Sequence, residues 1–239
     1  MSIHETMERI VPELIPAHDA PAQLSLQLHL ERYRFACEHL LPGRVLDIAC
    51  GTGYGTRLLA DCSNEVCTGV DVSAEAIAYA QANYAHVRTR FIQEELMRFN
   101  DAEQFANIVS LETIEHITHP DKVVEHLHSL LLPGGHLIVS APVTPSVDAN
   151  PYHVNDFTER SFRKLFIDKG FTEIASLKQN QPYSLREVAG KKTAKANHVR
   201  KGLVQFYLSH PGKLLLRLKS LVIDGFNNRY LVLVMRKAG

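Results

Sequence analysis

The chain has 239 residues, 45% of them apolar and 22% charged, with 26 basic residues against 26 acidic ones. That length and composition suit one α/β domain with a full core and exclude disordered, collagen-like and coiled-coil chains. Zero net charge excludes a protein that is basic throughout and coats nucleic acid, although a local basic patch stays open. The four cysteines, Cys37, Cys50, Cys62 and Cys67, form no CxxC pair, so neither a disulfide framework nor a zinc finger is expected. The opening MSIHETMERIVPEL carries Glu5 and Glu8 where a signal peptide needs basic and then apolar residues, and no apolar run is long enough to span a bilayer. A cytoplasmic protein is the expectation.

Residues 1–23, with Pro12, Pro16 and Pro21, read as an irregular arm, and 24–41 as a helix stopped by Pro42-Gly43. A buried strand at 44–48 runs into the turn ACGTGYG and a helix at 56–62. Strands follow at 66–70, 88–92, 106–111 and 136–142. Ser73 caps an intervening helix, with Val72 and Ile77 at staple spacing, and a helix at 119–131 has Pro120 in its first turn. Thr158 caps a helix that Gly170 ends, a strand runs over 171–177, and RYLVLVM forms the last strand. Alternating strands and helices predict a Rossmann-like, doubly wound, mostly parallel sheet. Residues 183–225 hold nine Lys and Arg against Glu187 and Asp224, a local balance of +7. The expected layout is one domain: arm and helix 1–43, core 44–182, basic helical insertion 183–225, last strand 226–239. The insertion is a candidate lid or self-association surface. Leu214, Leu218 and Leu221 recur at helical spacing, leaving Lys213, Arg217 and Lys219 for other faces.

VLDIACGTGYG is a strand, a glycine-rich turn and a helix start, and Asp71 follows Gly51 by 20 residues at the next strand end. Gly51 and Gly53 let the backbone approach a ligand, and Asp71 can accept hydrogen bonds from ribose hydroxyls. Two features turn the reading away from NAD. Thr56 stands where the third glycine would be, and Asp47 precedes the turn, poorly placed beside a pyrophosphate but well placed beside an ammonium or sulfonium.

VLDIACGTGYGTRLL, VDVSAEAIAYA, IVSLETIEHITHP and LLPGGHLIVSAP resemble, in order and spacing, the motifs of class I S-adenosylmethionine-dependent methyltransferases. The resemblance implies a seven-stranded sheet with its last strand antiparallel. It places Asp47, Cys50, Gly51 and Gly53 around the methionine part of the cofactor, Asp71 on the ribose and Val72 against adenine. Glu95 stands where the family usually has Asp near the adenine amine, and Leu111 and Glu112 open the loop facing the methyl group. Arg32 and Tyr33 on the leading helix either close over the cofactor or simply pack.

Ser110-Leu111-Glu112-Thr113 replaces the Asp/Asn-Pro-Pro-Tyr/Phe loop of nitrogen methylation, so DNA-base and glutamine acceptors are not expected. Glu112, Glu115 and His116 would share a face of one helical turn, and His153 emerges at the same sheet edge. Two carboxylates and two imidazoles can hold Mg²⁺, Mn²⁺ or a borderline metal. The set resembles the metal site of ubiquinone-biosynthesis O-methyltransferases and small-RNA 2′-O-methyltransferases. The alternative is an ordinary Glu-His loop, with His153 or His116 as a metal-free base and Glu112 beside the acceptor. The expected reaction is O-methylation of a saccharide or other small molecule, with a quinone or catechol second and RNA lower. A cofactor-binding protein without catalysis, or a membrane-surface adaptor using the basic segment, are the rivals from other classes.

Overall fold

The computed structural model describes residues 10–148, 150–182, 202–225 and 227–239. The strands are β1 (Val45–Ile48), β2 (Cys67–Asp71), β3 (Thr89–Gln93), β4 (Phe105–Leu111), β5 (Leu131–Pro142), β6 (Phe171–Pro182) and β7 (Asn227–Lys237). They form one sheet in the order β3-β2-β1-β4-β5-β7-β6, parallel except for β7, which is antiparallel to both neighbours. The helices are α1 (Ala20–Cys37), α2 (Tyr54–Ser63), α3 (Ala74–Tyr84), α4 (Pro120–Leu130), α5 (Glu159–Ile167), α6 (Leu203–Ser209) and α7 (Pro211–Asp224).

The strand pleat divides the core between two faces. Leu46, Ile48 and Ile108 pack with Val124 and Leu127 of α4 and Phe162 and Phe166 of α5. Val45 and Val109 pack with Ala36 of α1 and Leu59 of α2. Asp47 follows the alternation of Val45, so its carboxylate enters the α1–α2 side. Strand order reverses between β1 and β4, and the crevice at such a switch point is where these sheets bind ligands. The turn after β1 and the loop after β4 therefore flank it.

Three details differ from the sequence reading. α1 starts at Ala20, four residues early, because the Asp19 side chain accepts from the Ala22 N–H and Pro21 sits in the first turn. Cys37 and Cys62 are disulfide-bonded, with Cα atoms 5.7 Å apart. The pair lies at the ends of two neighbouring helices, a tertiary juxtaposition that linear spacing does not encode. The third concerns the insertion. Residues 183–201 of it lie outside the described residues, and the remainder begins with α6 and α7. Lys213 and Arg217 turn inward on α7, towards Asp156 and Asp148, while Leu214 and Leu218 face out.

Candidate functional site

A cavity of about 600 Å³ opens at the switch point. Its wall includes Cys50 and Gly51 of the first turn, Asp71 and Val72 after β2, Glu95 after β3, and Leu111, Glu112 and His116 after β4. With Arg32 and Tyr33, ten of the residues singled out from the sequence thus meet around one space.

Gly51 has φ +57°, and a Cβ built there meets nothing within 4 Å, so the cavity reaches its backbone. Its N–H donates to Asp71 Oδ2 at 2.9 Å, and Ser73 N–H donates to Oδ1 at 2.9 Å. These two amides fix the carboxylate at the cavity rim. Val72 is 53% exposed beside it, an apolar platform. Glu95 is exposed. Its carbonyl accepts from Arg98 and Phe99 N–H. Cys50 is buried, and burial pushes its thiol well above the ordinary value, with Asp47 and Asp71 adding to the effect. It is a packing group rather than a nucleophile.

Gly53 and Asp47 stand behind the wall. Gly53, at φ +87°, caps α2, and a Cβ there would come within 2.5 Å of the Ala80 Cβ and 2.8 Å of the Phe91 ring. The sequence reading gave this glycine to a ligand, whereas its immediate neighbours are α3 and β3. Asp47 accepts from Thr56 Oγ1 at 2.6 Å and from the Tyr33 hydroxyl at 3.4 Å. Thr56, the residue in place of a third glycine, thus supplies a hydroxyl to a buried carboxylate. Burial raises Asp47 to about 7, against the hydrogen bonds from Thr56 and Tyr33, and Asp71 adds to the rise. No Lys or Arg is among the groups that shift it, so burial prevails.

The loop after β4 divides the residues proposed for a metal. Glu112 has φ +50°, in the left-handed region, and only residues Ile114–His116 form a short 3₁₀ turn. Glu112 is therefore not on one helical face with Glu115 and His116. Its carboxylate accepts from Ser140 Oγ at 2.6 Å and lies 3.3 Å from an Arg32 guanidinium nitrogen. Arg32 is buried, donates to Gln179 at 2.7 Å and stacks over the Tyr230 ring at 4.4 Å. It ties α1 to β4, β6 and β7 beside the cavity. The sequence left Arg32 between closing over the cofactor and packing; its length and charge gave no hint of a partner 80 residues away.

Glu115, His116 and His153 do come together, with one ligand atom from each within 4.8 Å of the others. Glu115 is almost fully buried, His153 is buried, and the two imidazole rings meet edge to face at 4.7 Å. Val154 and Asn155 N–H both donate to the Glu115 carbonyl, and the Asn155 side chain donates to the Ile117 carbonyl at 2.7 Å. These bonds stitch the loop after β5 onto the loop after β4. His116 Nδ1 lies 3.1 Å from the Tyr152 carbonyl, which can only accept. Nδ1 therefore carries a proton, which leaves Nε2 as the ring nitrogen a metal or a base would use.

One element of the site was missed. The segment before α1, read as an irregular arm, lines the cavity with Ile10, Val11 and Leu14. Thr52 Oγ1 donates to the Ile10 carbonyl at 2.8 Å, and Tyr79 and Tyr84 both donate to Glu13. Its apolar residues have no periodicity, so nothing in the sequence signalled that role.

Known proteins resemble this chain over part of its length. Residues 45–135 match the family described as "Methyltransferase domain". The Mycobacterium tuberculosis protein named "Probable S-adenosylmethionine-dependent methyltransferase" is 31% identical over 143 residues, 55% of this chain and 49% of that one. The ubiquinone biosynthesis O-methyltransferase of Paraburkholderia phymatum is 33% identical over 106 residues, 43% of this chain and 45% of its own. The chain spans about half the length of the curated relatives it matches. A methyltransferase-type protein of Bacillus halodurans has the same fold, with a TM-score of 0.67 at 18% identity over 88% of this chain and 99% of that one. The likenesses centre on the cofactor-type half of the chain, and the sheet order is that of a fold shared with methyltransferase-type proteins.

Proposed function

We propose that the cavity binds S-adenosylmethionine and that the chain transfers its methyl group to a hydroxyl of a small molecule. The observation that carries this reading is the convergence of the Gly51 backbone, the Asp71 carboxylate and the loop after β4 on one space at the switch point. The residues fit such a cofactor. Asp71 suits the ribose diol, Val72 suits the adenine face, and Asp47, raised by burial and set behind the wall, would gain from positive charge brought into the cavity. Leu111 and Glu112 would stand on the side of the methyl group. Methyl transfer is an in-line displacement, so the protein's task is to hold the nucleophile and remove its proton.

For that proton we assign Glu115, His116 and His153. Two imidazoles and a carboxylate form a donor set suited to Mn²⁺ or a borderline divalent metal, and less to Mg²⁺, which prefers oxygen. A bound divalent ion would lower the pKa of an acceptor hydroxyl. The His116 tautomer set by Tyr152 serves ligation, and it would serve equally for a metal-free base. Glu112, engaged by Arg32 and Ser140, shapes the acceptor wall and is left out of the metal set.

Saccharide and catechol or quinol acceptors share the hydroxyl chemistry. Similarity to a ubiquinone-pathway enzyme and an apolar wall that includes Ile10, Leu14 and Ile117 favour the catechol or quinol class. A labelled-methyl assay over catechols, quinol precursors and saccharides, with and without chelator, tests the reading. Expected is transfer that chelation abolishes and Mn²⁺ restores, with Glu115→Ala inactive but still binding cofactor. Full activity after exhaustive chelation would remove the metal and leave His116 or His153 as the base. Absence of cofactor binding by calorimetry would overturn the whole reading.

A further inference from the structure

Helix α7 is turned inside out, and α6 beside it also carries exposed apolar residues. On α7, Lys213, Arg217, Ser220 and Asp224 recur at three- and four-residue spacing and face the protein. Lys213 pairs with Asp156, and Arg217 Nε donates to Asp148 at 2.7 Å. Arg217 also donates to the Pro145 carbonyl at 2.8 Å, and Asp224 pairs with Arg229 at 3.2 Å. The opposite face carries Leu215, Leu218 and Val222, of which Val222 is 87% exposed, flanked by Ile223 at 63%. Val204 and Leu208, one turn apart on α6, are 77% and 79% exposed. Side chains of this kind gain free energy by leaving water, and a soluble surface rarely gathers so many. A slack helix would roll its leucines onto the core. This one is held the other way by ion pairs to buried Asp148 and half-buried Asp156, so the outward apolar face is a product of the fold.

We propose that this face docks on an anionic lipid surface. Charge selects that occupant. Beyond Lys213 and Arg217, which acids of the protein already match, residues 183–225 contain seven further Lys and Arg against Glu187 and Asp224. Six of the seven lie in 183–201, next in sequence to α6, and the seventh is Lys219 on α7. A second copy carries the same excess of cations, whereas an acidic surface carries the opposite charge. A bilayer with acidic headgroups offers an apolar interior for the leucines and negative charge for the flanking cations. No helix among the described residues is long and apolar enough to cross a membrane, so the association is with the surface.

The test uses the full chain, sedimented with phosphatidylcholine vesicles with and without phosphatidylglycerol, at low and high salt. The expected result is binding to the acidic vesicles at low salt that salt weakens. Leu215→Asp with Val222→Asp should weaken it by about tenfold or more, these being exposed residues whose loss leaves the core intact. Calorimetric cofactor affinity of the double variant should stay at the wild-type value, which separates loss of docking from loss of fold. Three results would overturn the proposal: no sedimentation with acidic vesicles, equal binding to vesicles of phosphatidylcholine alone, or a concentration-dependent dimer that the double variant loses without any vesicle binding. None of these depends on methyl transfer, so the proposed activity stands or falls separately.

Discussion

Asp47 and Asp148 are both buried carboxylates, 1% and 2% exposed, yet their acidities move in opposite directions. Burial pushes both up. At Asp148, hydrogen bonds from Arg217 and Tyr207 outweigh burial and hold the carboxyl below its ordinary value. At Asp47, two neutral hydroxyls do not outweigh it, and the group rises to about 7. The difference is whether the fold supplies the cation. Asp148 has one on α7 and is an anchor. Asp47 has none, and a protein that keeps a buried acid without a counter-charge retains it at a cost to stability. That cost is understandable where a cationic ligand completes the pair.

The contrast is sharpest against pH. Asp47 binds its proton more tightly in the folded state, so stability falls as pH rises from about 4 to 7 and is level above that. The shift corresponds to about 4 kcal/mol at most. Denaturant titrations across that range should show the fall, Asp47→Asn should flatten it, and saturating cofactor should flatten it too, because the ligand's charge favours the ionised acid. Binding should then release a proton and tighten up to pH 7. A wild-type curve level from pH 4 to 7 would refute the assignment. Asp148 has the opposite sign: its contribution is complete above the ordinary carboxylate range and is lost as pH falls through it.

Breaking the anchor comes next in size. Asp148→Ala leaves Arg217 nearly buried without its carboxylate, at a cost of about 3 kcal/mol. The loss should appear as a lower denaturation midpoint and as early proteolysis within 202–225, with cofactor affinity little changed. Asp47→Asn should do the reverse, weakening the cofactor while leaving α7 protected.

The two regions also differ in how far the sequence revealed them. The strand-turn-helix at 45–55 was legible because local patterns carry it: four buried residues in a row, glycines at fixed offsets, an acid at the next strand end. His153 was legible through topology, since loops after β4 and β5 must emerge together. The error at Glu112 was local. One left-handed residue breaks the helical spacing, and nothing in the residue type announces it. Which face of α7 is inside was not legible, because leucines at helical spacing show only that the helix has an apolar side. Their direction is set by Asp148 and Asp156, more than 50 residues away in sequence, and a periodicity shows that a helix has two faces without showing which is inside. The Cys37–Cys62 pair is the same kind of long-range fact.

That pair supplies a smaller effect. It closes a loop of 25 residues, and such a link contributes about 2–3 kcal/mol. Cys37→Ser should lower stability by that amount without reductant, while wild type and variant should converge with it. Under non-reducing, denaturing conditions only Cys50 and Cys67 should alkylate. In a reducing cytoplasm, the compartment expected from composition, all four would be thiols, so alkylation of protein quenched directly from cells reads the compartment as well as the bond.

The smallest expected effect is the one most specific to the cofactor. Asp71 is already engaged by the N–H groups of Gly51 and Ser73, so its loss would both remove the proposed ribose acceptor and free the Gly51 turn to move. Asp71→Ala should weaken S-adenosylmethionine by about 2 kcal/mol, roughly thirtyfold, measured by calorimetry. Asp71→Asn separates the two roles. Its amide oxygen can still accept from one of those N–H groups, but its NH₂ cannot, and the neutral side chain makes weaker bonds to the ribose. If the turn matters most, Asn restores most of the affinity; if the charged bond to the ribose matters most, Asn resembles Ala. Unchanged affinity in both variants would place the ribose elsewhere on the wall and remove Asp71 from the site.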